Sequence, residues 1–170
     1  MPSTISTNEP LIVVSDTTPL SELAKIGCLD LLLEVYGRIV IPQEVFDEAI
    51  AGVHPATIAV PAAQWIEVRT VQDSQKVFAL QQATSLGLGE CAAMVLAEEL
   101  NASRLLIDDL AARHEAQRRN LPVIGTVAVI LLAKKLEIIP NIKDLLDELI
   151  VQGARIGQKL YQDALSIAGE

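Results

Sequence analysis

The chain has 170 residues, of which 51% are hydrophobic and only 3% aromatic, and its formal net charge is -9 at pH 7. That length falls in the range of one domain, and a core drawn from Leu, Ile, Val and Ala favours helices packed on a parallel sheet. The acidity excludes nucleic-acid binding through a broad basic surface, which needs clustered Lys and Arg to displace counterions, but leaves open enzymes that reach phosphates through divalent cations held by acids.

In chain order, residues 1–9 are polar and predict a frayed tail. Leu11 to Val14 is an apolar run without polar alternation, the pattern of a strand covered on both faces, and it ends in Asp16, Thr17, Thr18 and Pro19. Thr18-Pro19 predicts an N-cap with proline at the first helical position, so Asp16 falls at the carboxyl end of a strand, the edge where open α/β sheets bind ligands. Short helices follow over Leu20 to Ile26 and Leu29 to Tyr36. Arg38 to Ile41 predicts a second strand, leading through Pro42 into a helix that reaches about Ala51. Gly52 to Pro61, with two prolines, predicts a loop. Trp65 to Thr70 alternates as an edge strand does, and Ser74 to Thr84 predicts a helix broken by Gly87-Leu88-Gly89.

Glu90 to Leu100 is strongly helix-forming, and Arg104 to Ile107 predicts another buried strand, closed by Asp108-Asp109 as the first is closed by Asp16. Leu110 to Arg119 predicts a helix, Val123-Ile124 a short strand, and Thr126 the cap of a helix running to Lys135. Two amphipathic helices complete the chain, about Ile142 to Gln152 and Gly157 to Ala168. Strands alternating with helices predict a single α/β domain with a parallel sheet of four to five short strands. Cys28 and Cys91 lack any CxxC partner and predict free thiols, and His54 and His114 are too few for a histidine-rich site, so any metal here is oxygen-bound. No run approaches the roughly 18 apolar residues of a membrane span, and no basic-then-apolar leader opens the chain, which predicts a cytoplasmic protein.

The acids are best considered together. On the helix after Pro42, Glu48 borders the stripe of Ile41, Val45 and Ala49, whereas Glu44 lies farther off and Asp47 points away. Glu90 shares a face with Ala93 and Ala97, and no Lys or Arg on that stripe neutralises it. Asp16, Glu48, Glu90 and Asp108, with Asp109 adjacent, thus form a set whose repulsion a divalent cation relieves. Each taken singly has an ordinary explanation as a helix cap, a dipole partner or a solvated side chain.

Five segments also resemble one family. Val13 to Leu20, Val40 to Glu48, Gly87-Leu88-Gly89-Glu90, Leu106 to Asp109 with Ala112-Arg113, and Val123 to Thr126 together resemble the PIN domain, specifically its VapC-like branch. The resemblance implies a helix-flanked parallel sheet and a Mg²⁺- or Mn²⁺-dependent ribonuclease, often the toxin of a toxin-antitoxin pair. It assigns the catalytic and metal-binding acids to Asp16, Glu48, Glu90 and Asp108, with Thr18 as a supporting hydroxyl. Glu stands at 90 where relatives frequently carry Asp, which lengthens the ligand arm. Between Asp108 and Asp109 spacing favours the first, and both remain candidate ligands.

Arg113, one turn beyond Asp109, is a candidate phosphate contact, although a surface ion pair is the commoner role for such an arginine. The stripes Leu145, Leu146, Leu149 and Ile150, then Leu160, Leu165 and Ile167, either complete the core or dock a partner. With half the chain hydrophobic, the expected partners besides RNA are an antitoxin protein or a second copy of the chain. Two other functions compete. A phosphoaspartate enzyme lacks its usual second aspartate two residues after Asp16, where Thr18 stands. A catalytically silent binding module on the same fold remains the alternative to the nuclease.

Overall fold

A computed structural model describes residues 11–170, so the tail expected over residues 1–9 lies outside the described residues. The elements are β1 (Val13–Ser15), α1 (Thr17–Lys25), α2 (Leu31–Tyr36), β2 (Ile39–Pro42), α3 (Gln43–Ile50), α4 (Ala56–Ala62), β3 (Ile66–Arg69), α5 (Ser74–Thr84), α6 (Leu88–Glu99), β4 (Arg104–Leu106), α7 (Leu110–Arg118), β5 (Val123–Ile124), α8 (Thr126–Lys135), α9 (Lys143–Val151) and α10 (Gln158–Ala168). The five strands are all parallel and lie in the order β3-β2-β1-β4-β5.

That order places the site. The chain runs outward from β1 through β2 to β3, then crosses back to lay β4 against the other side of β1. The order therefore reverses between β1 and β4, and a crevice opens there at the carboxyl edge of the sheet. Val14 pairs with Val40 on one side and Leu105 on the other, and Ser15 pairs with Leu106. Asp16 and Asp108 are thus the first and second residues past the ends of the two strands flanking the reversal.

β1 and β2 are buried at every position, which is why neither shows alternation, whereas the edge strand β3 alternates apolar and polar residues in sequence but buries only Ile66 and leaves Val68 exposed. Helix α6 is buried continuously from Cys91 to Ala97 and packs on β1, β2, β4, α3 and α5. A helix apolar on all sides belongs inside, and the small Ala92, Ala93 and Ala97 let it approach the sheet closely.

Three local expectations need correction. Thr18 does not cap α1: the helix starts at Thr17 with Asp16 at the N-cap, and Pro19 is its third residue. Proline is harmless there, since the first four N–H groups of a helix have no partner within it. Gly52 to Pro61 is not all loop, because α4 forms across it, with Pro55 at its N-cap and Pro61 in its last turn. Ala56 and Val60, four residues apart and buried, anchor α4 on the core and outweigh the proline. Thr126 is the first residue of α8, with Gly125 at its N-cap.

The stripe of α9 faces mostly inward, whereas that of α10 faces mostly outward. Leu146, Leu149 and Ala164 form a second apolar cluster with Leu31, Val127, Ile130, Ala133 and Ile142, and Leu145 and Leu165 pack against it. Ile150, Leu160 and Ile167 remain exposed. The side chain of Glu170 fastens this unit by accepting hydrogen bonds from Ile142 N (2.8 Å), Lys143 N (3.2 Å) and Lys134 Nζ (2.7 Å). Leu146→Ala should lower unfolding stability by about 2–5 kcal/mol, because the fully buried leucine leaves a cavity. Urea denaturation followed by circular dichroism measures this as a lower midpoint with an unchanged slope.

Candidate active site

Asp16 is the structural centre of the site. It follows directly on β1, its N–H bonds to Leu106 O at 2.9 Å, and it is only 2% exposed. Although it stands at the N-cap of α1, its side chain makes no capping hydrogen bond. Burial raises its pKa from 3.8 to about 7; the adjacent Thr17 N–H works against this, and the nearby charges of Glu90, Glu48 and Asp108 add to it. A carboxylate is thus held beside three others in a place where ionisation is unfavourable.

Glu48 reaches the same place from α3. Its Oε2 accepts from Thr17 Oγ1 at 2.5 Å, and its Oε1 accepts from Gly89 N at 2.9 Å. One carboxylate therefore ties the first turn of α1 to the first turn of α6. Gly89 permits this, since a Cβ there would lie 2.7 Å from the Glu48 carboxyl carbon. The carboxylate of Glu90, in the first turn of α6, folds back so that Oε2 accepts from Gly87 N at 2.9 Å. Burial raises the Glu90 pKa, partly offset by that N–H and reinforced by Asp109 and Glu48.

The two aspartates after β4 have separate tasks. Asp108 accepts from Thr126 N (2.8 Å) and Thr126 Oγ1 (2.7 Å), which orients it from the first residue of α8. Asp109 is the N-cap of α7, and its Oδ1 accepts from Ala112 N at 2.9 Å. Arg113 stands close by: a Cβ on Gly125 would meet its Nη1 at 2.6 Å and Asp108 Oδ1 at 3.1 Å. Among the described residues Arg113 has no acidic partner within ion-pair distance, so the surface ion pair considered for it does not form.

The hydroxyls supporting the acids belong to Thr17 and Thr126, whereas Thr18 is exposed and lines the adjoining cavity. Thr17 was within reach of a sequence argument, because it immediately follows the strand end. Thr126 was masked by its equally good reading as a helix start. The thiols do not contribute: Cys28 and Cys91 are both free, and burial raises the pKa of each.

A parallel sheet of this order, with acids after β1 and β4 and at the starts or faces of α3 and α6, narrows the family. A family model described as a PIN domain matches residues 12–170. The chain belongs to the PIN domain family. None of the curated proteins compared with it matches significantly. PIN domains are generally nucleases. Within this PIN domain the donor set is entirely carboxylate, which suits a hard cation such as Mg²⁺ or Mn²⁺. Among the described residues no three His, Cys, Asp or Glu side chains are already arranged around one point to hold an ion. The reason is visible in the bonds above: Glu48, Glu90 and Asp108 each turn toward protein N–H or hydroxyl donors.

Two predictions follow from this geometry. Gly89→Ala should displace the Glu48 carboxylate from Thr17 and Gly89 N, weakening any function that needs it and lowering the melting temperature by several degrees through the lost tie between α1 and α6. Parallel thermal melts and functional assays of the variant measure this. Asp16 binds its proton more tightly folded (about 7) than unfolded (3.8), so its ionisation removes stability as pH rises through that interval. Asp16→Asn should therefore raise the melting temperature in EDTA at pH 8 by several degrees and leave it nearly unchanged at pH 4.

Proposed function

We propose that this PIN domain is a metal-dependent endoribonuclease that hydrolyses RNA phosphodiester bonds, with Asp16, Glu48, Glu90 and Asp108 as its catalytic, metal-holding acids. The observation that supports the reading is Asp16, buried at the end of β1 beside the β1/β4 reversal, with Glu90, Glu48 and Asp108 near enough for their charges to disfavour its ionisation. Helix-end hydrogen bonds account for Glu48, Glu90 and Asp108 singly, but none accounts for the buried Asp16 beside them, and a divalent cation would relieve the repulsion among the four. Asp108, the first acid after β4, is the preferred ligand over Asp109, although both are engaged by protein donors.

Bound Mg²⁺ or Mn²⁺ would supply charge neutralisation at the phosphate and an activated water. The chain's own residues provide the positioning. Thr17 and Gly89 hold Glu48, Thr126 holds Asp108, and the ends of β1 and β4 fix Asp16 and Asp108 on a rigid sheet. The acidic surface discourages indiscriminate binding to long nucleic acid, which fits action on a restricted RNA target. A toxin restrained by an antitoxin protein is the biological setting we infer for such an activity, with self-association of the chain through the exposed Ile150 and Ile167 as a further proposal.

One observation favours the competing reading of a silent binding module: Glu48, Glu90 and Asp108 are engaged by protein donors. Titration with Mn²⁺ separates the two. At a hundredfold excess over its dissociation constant the ion should stabilise the protein by about 2.7 kcal/mol, seen as a higher melting temperature. Asp16→Asn and Glu90→Gln should abolish Mn²⁺-dependent cleavage of single-stranded RNA without lowering the melting temperature in EDTA, and Asp109→Asn should be milder than Asp108→Asn. Cleavage that persists in EDTA, or amide variants with full activity, would return the chain to the silent module.

A further inference from the structure

The chain carries 13 Lys and Arg residues against 22 acids, and nine of the 13 are ion-paired among the described residues. The four without such a partner are Arg104, Arg113, Lys135 and Arg155. Two of these, Arg113 and Arg155, line the same cavity of about 410 Å³, which opens beside Asp108 and Asp109. Three acids, Glu22, Asp108 and Asp109, line the cavity as well, so Arg113 and Arg155, which have no ion-pair partner among the described residues, are the groups there that can take an anion brought from outside.

The cavity is built by the C-terminal unit. Arg155 and Ile156 lie between α9 and α10, after a turn at Gly153 that requires a φ of +99°. Leu149 and Leu160 line it from those two helices, and Val127 lines it from α8. Its lining thus combines guanidinium groups and acids with aliphatic side chains. Ligand cavities typically span roughly 300–1,000 Å³, so this volume suits one nucleotide better than a folded partner.

We propose that this cavity is the subsite for the nucleotide adjoining the scissile phosphate of a single-stranded substrate. The inference rests on the nuclease reading and adds to it. Arg155 and Arg113 take the phosphate oxygens of that nucleotide, and its base lies against Val127, Leu149 and Leu160. Among the described residues no aromatic side chain lines the cavity, so base recognition comes from apolar contact, which discriminates weakly among bases. Both Arg155 and Leu160 are exposed, so they can be replaced without disturbing the core.

The test measures fluorescence anisotropy of a labelled 2′-O-methyl RNA hexamer with the full chain in Ca²⁺ buffer, where binding is read without turnover. Arg155→Gln and Leu160→Glu should each weaken binding about tenfold or more, the scale of losing one base or phosphate contact. Lys135→Gln is the charge-matched control. Lys135 ends the ten-residue α8 whose start borders the cavity, about 14 Å away at 1.5 Å per residue, and its replacement should leave affinity unchanged. Equal losses for Arg155→Gln and Lys135→Gln would reduce the effect to net charge and overturn the proposal, as would no loss in either. A wild-type protein that does not bind the hexamer at all also overturns it, leaving the cavity to a peptide of a partner protein. Mn²⁺-dependent RNA cleavage by wild-type protein is assayed alongside. Its absence sinks the nuclease reading, whereas unchanged hexamer binding by the variants in an active enzyme sinks only the subsite.

Discussion

The burial of one carboxylate governs this structure. Asp16 ends a strand that is sealed on both faces, and its position is fixed by the backbone bond to Leu106 and by the start of α1 immediately after it. It cannot swing out to water without unpacking β1. The neighbouring acids are arranged around this immovable group, each with its charge partly spread over N–H or hydroxyl donors. The fold thus tolerates concentrated negative charge by giving Glu48, Glu90 and Asp108 local donors while leaving Asp16 to take up a proton near neutrality.

Glu48 shows how closely site and scaffold are joined. Its two oxygens connect α1 and α6 through Thr17 and Gly89, so the group that bears charge at the crevice also fixes the mutual placement of the helices delivering Asp16 and Glu90. A structural explanation and a chemical one are both true of this residue. The same holds for Asp109, a conventional helix cap that still contributes its charge to Glu90.

Much of the architecture was readable from residue order alone. Uninterrupted apolar runs identified the buried strands, alternation identified the edge strand, and the acids stood where those runs stopped. What could not be read was anything depending on sequence-distant partners. Pro19 and Pro61 sit inside helices because one occupies a turn with no hydrogen bonds to lose and the other is outweighed by the burial of Ala56 and Val60. Thr18 looked like the supporting hydroxyl, yet Thr17 bonds to Glu48, because α1 begins two residues earlier than Pro19 suggested. The inward turn of Leu146 and Leu149 likewise depends on α8 and α2, which an amphipathic stripe by itself does not name.

The second apolar cluster has a consequence for how the molecule breathes. Leu31, Val127, Ile130, Ala133, Ile142, Leu146, Leu149 and Ala164 bury one another largely within the C-terminal helices, apart from the core that surrounds α6. Regions with their own packing open as units, at free energies set by that packing and not by the whole fold. The wall that carries Arg155 and Leu160 therefore rests on a different apolar cluster from the strands that carry Asp16 and Asp108, with Ile26 packed against both. Opening of α9 and α10 alone would reshape that wall and leave the acids on the sheet where they are.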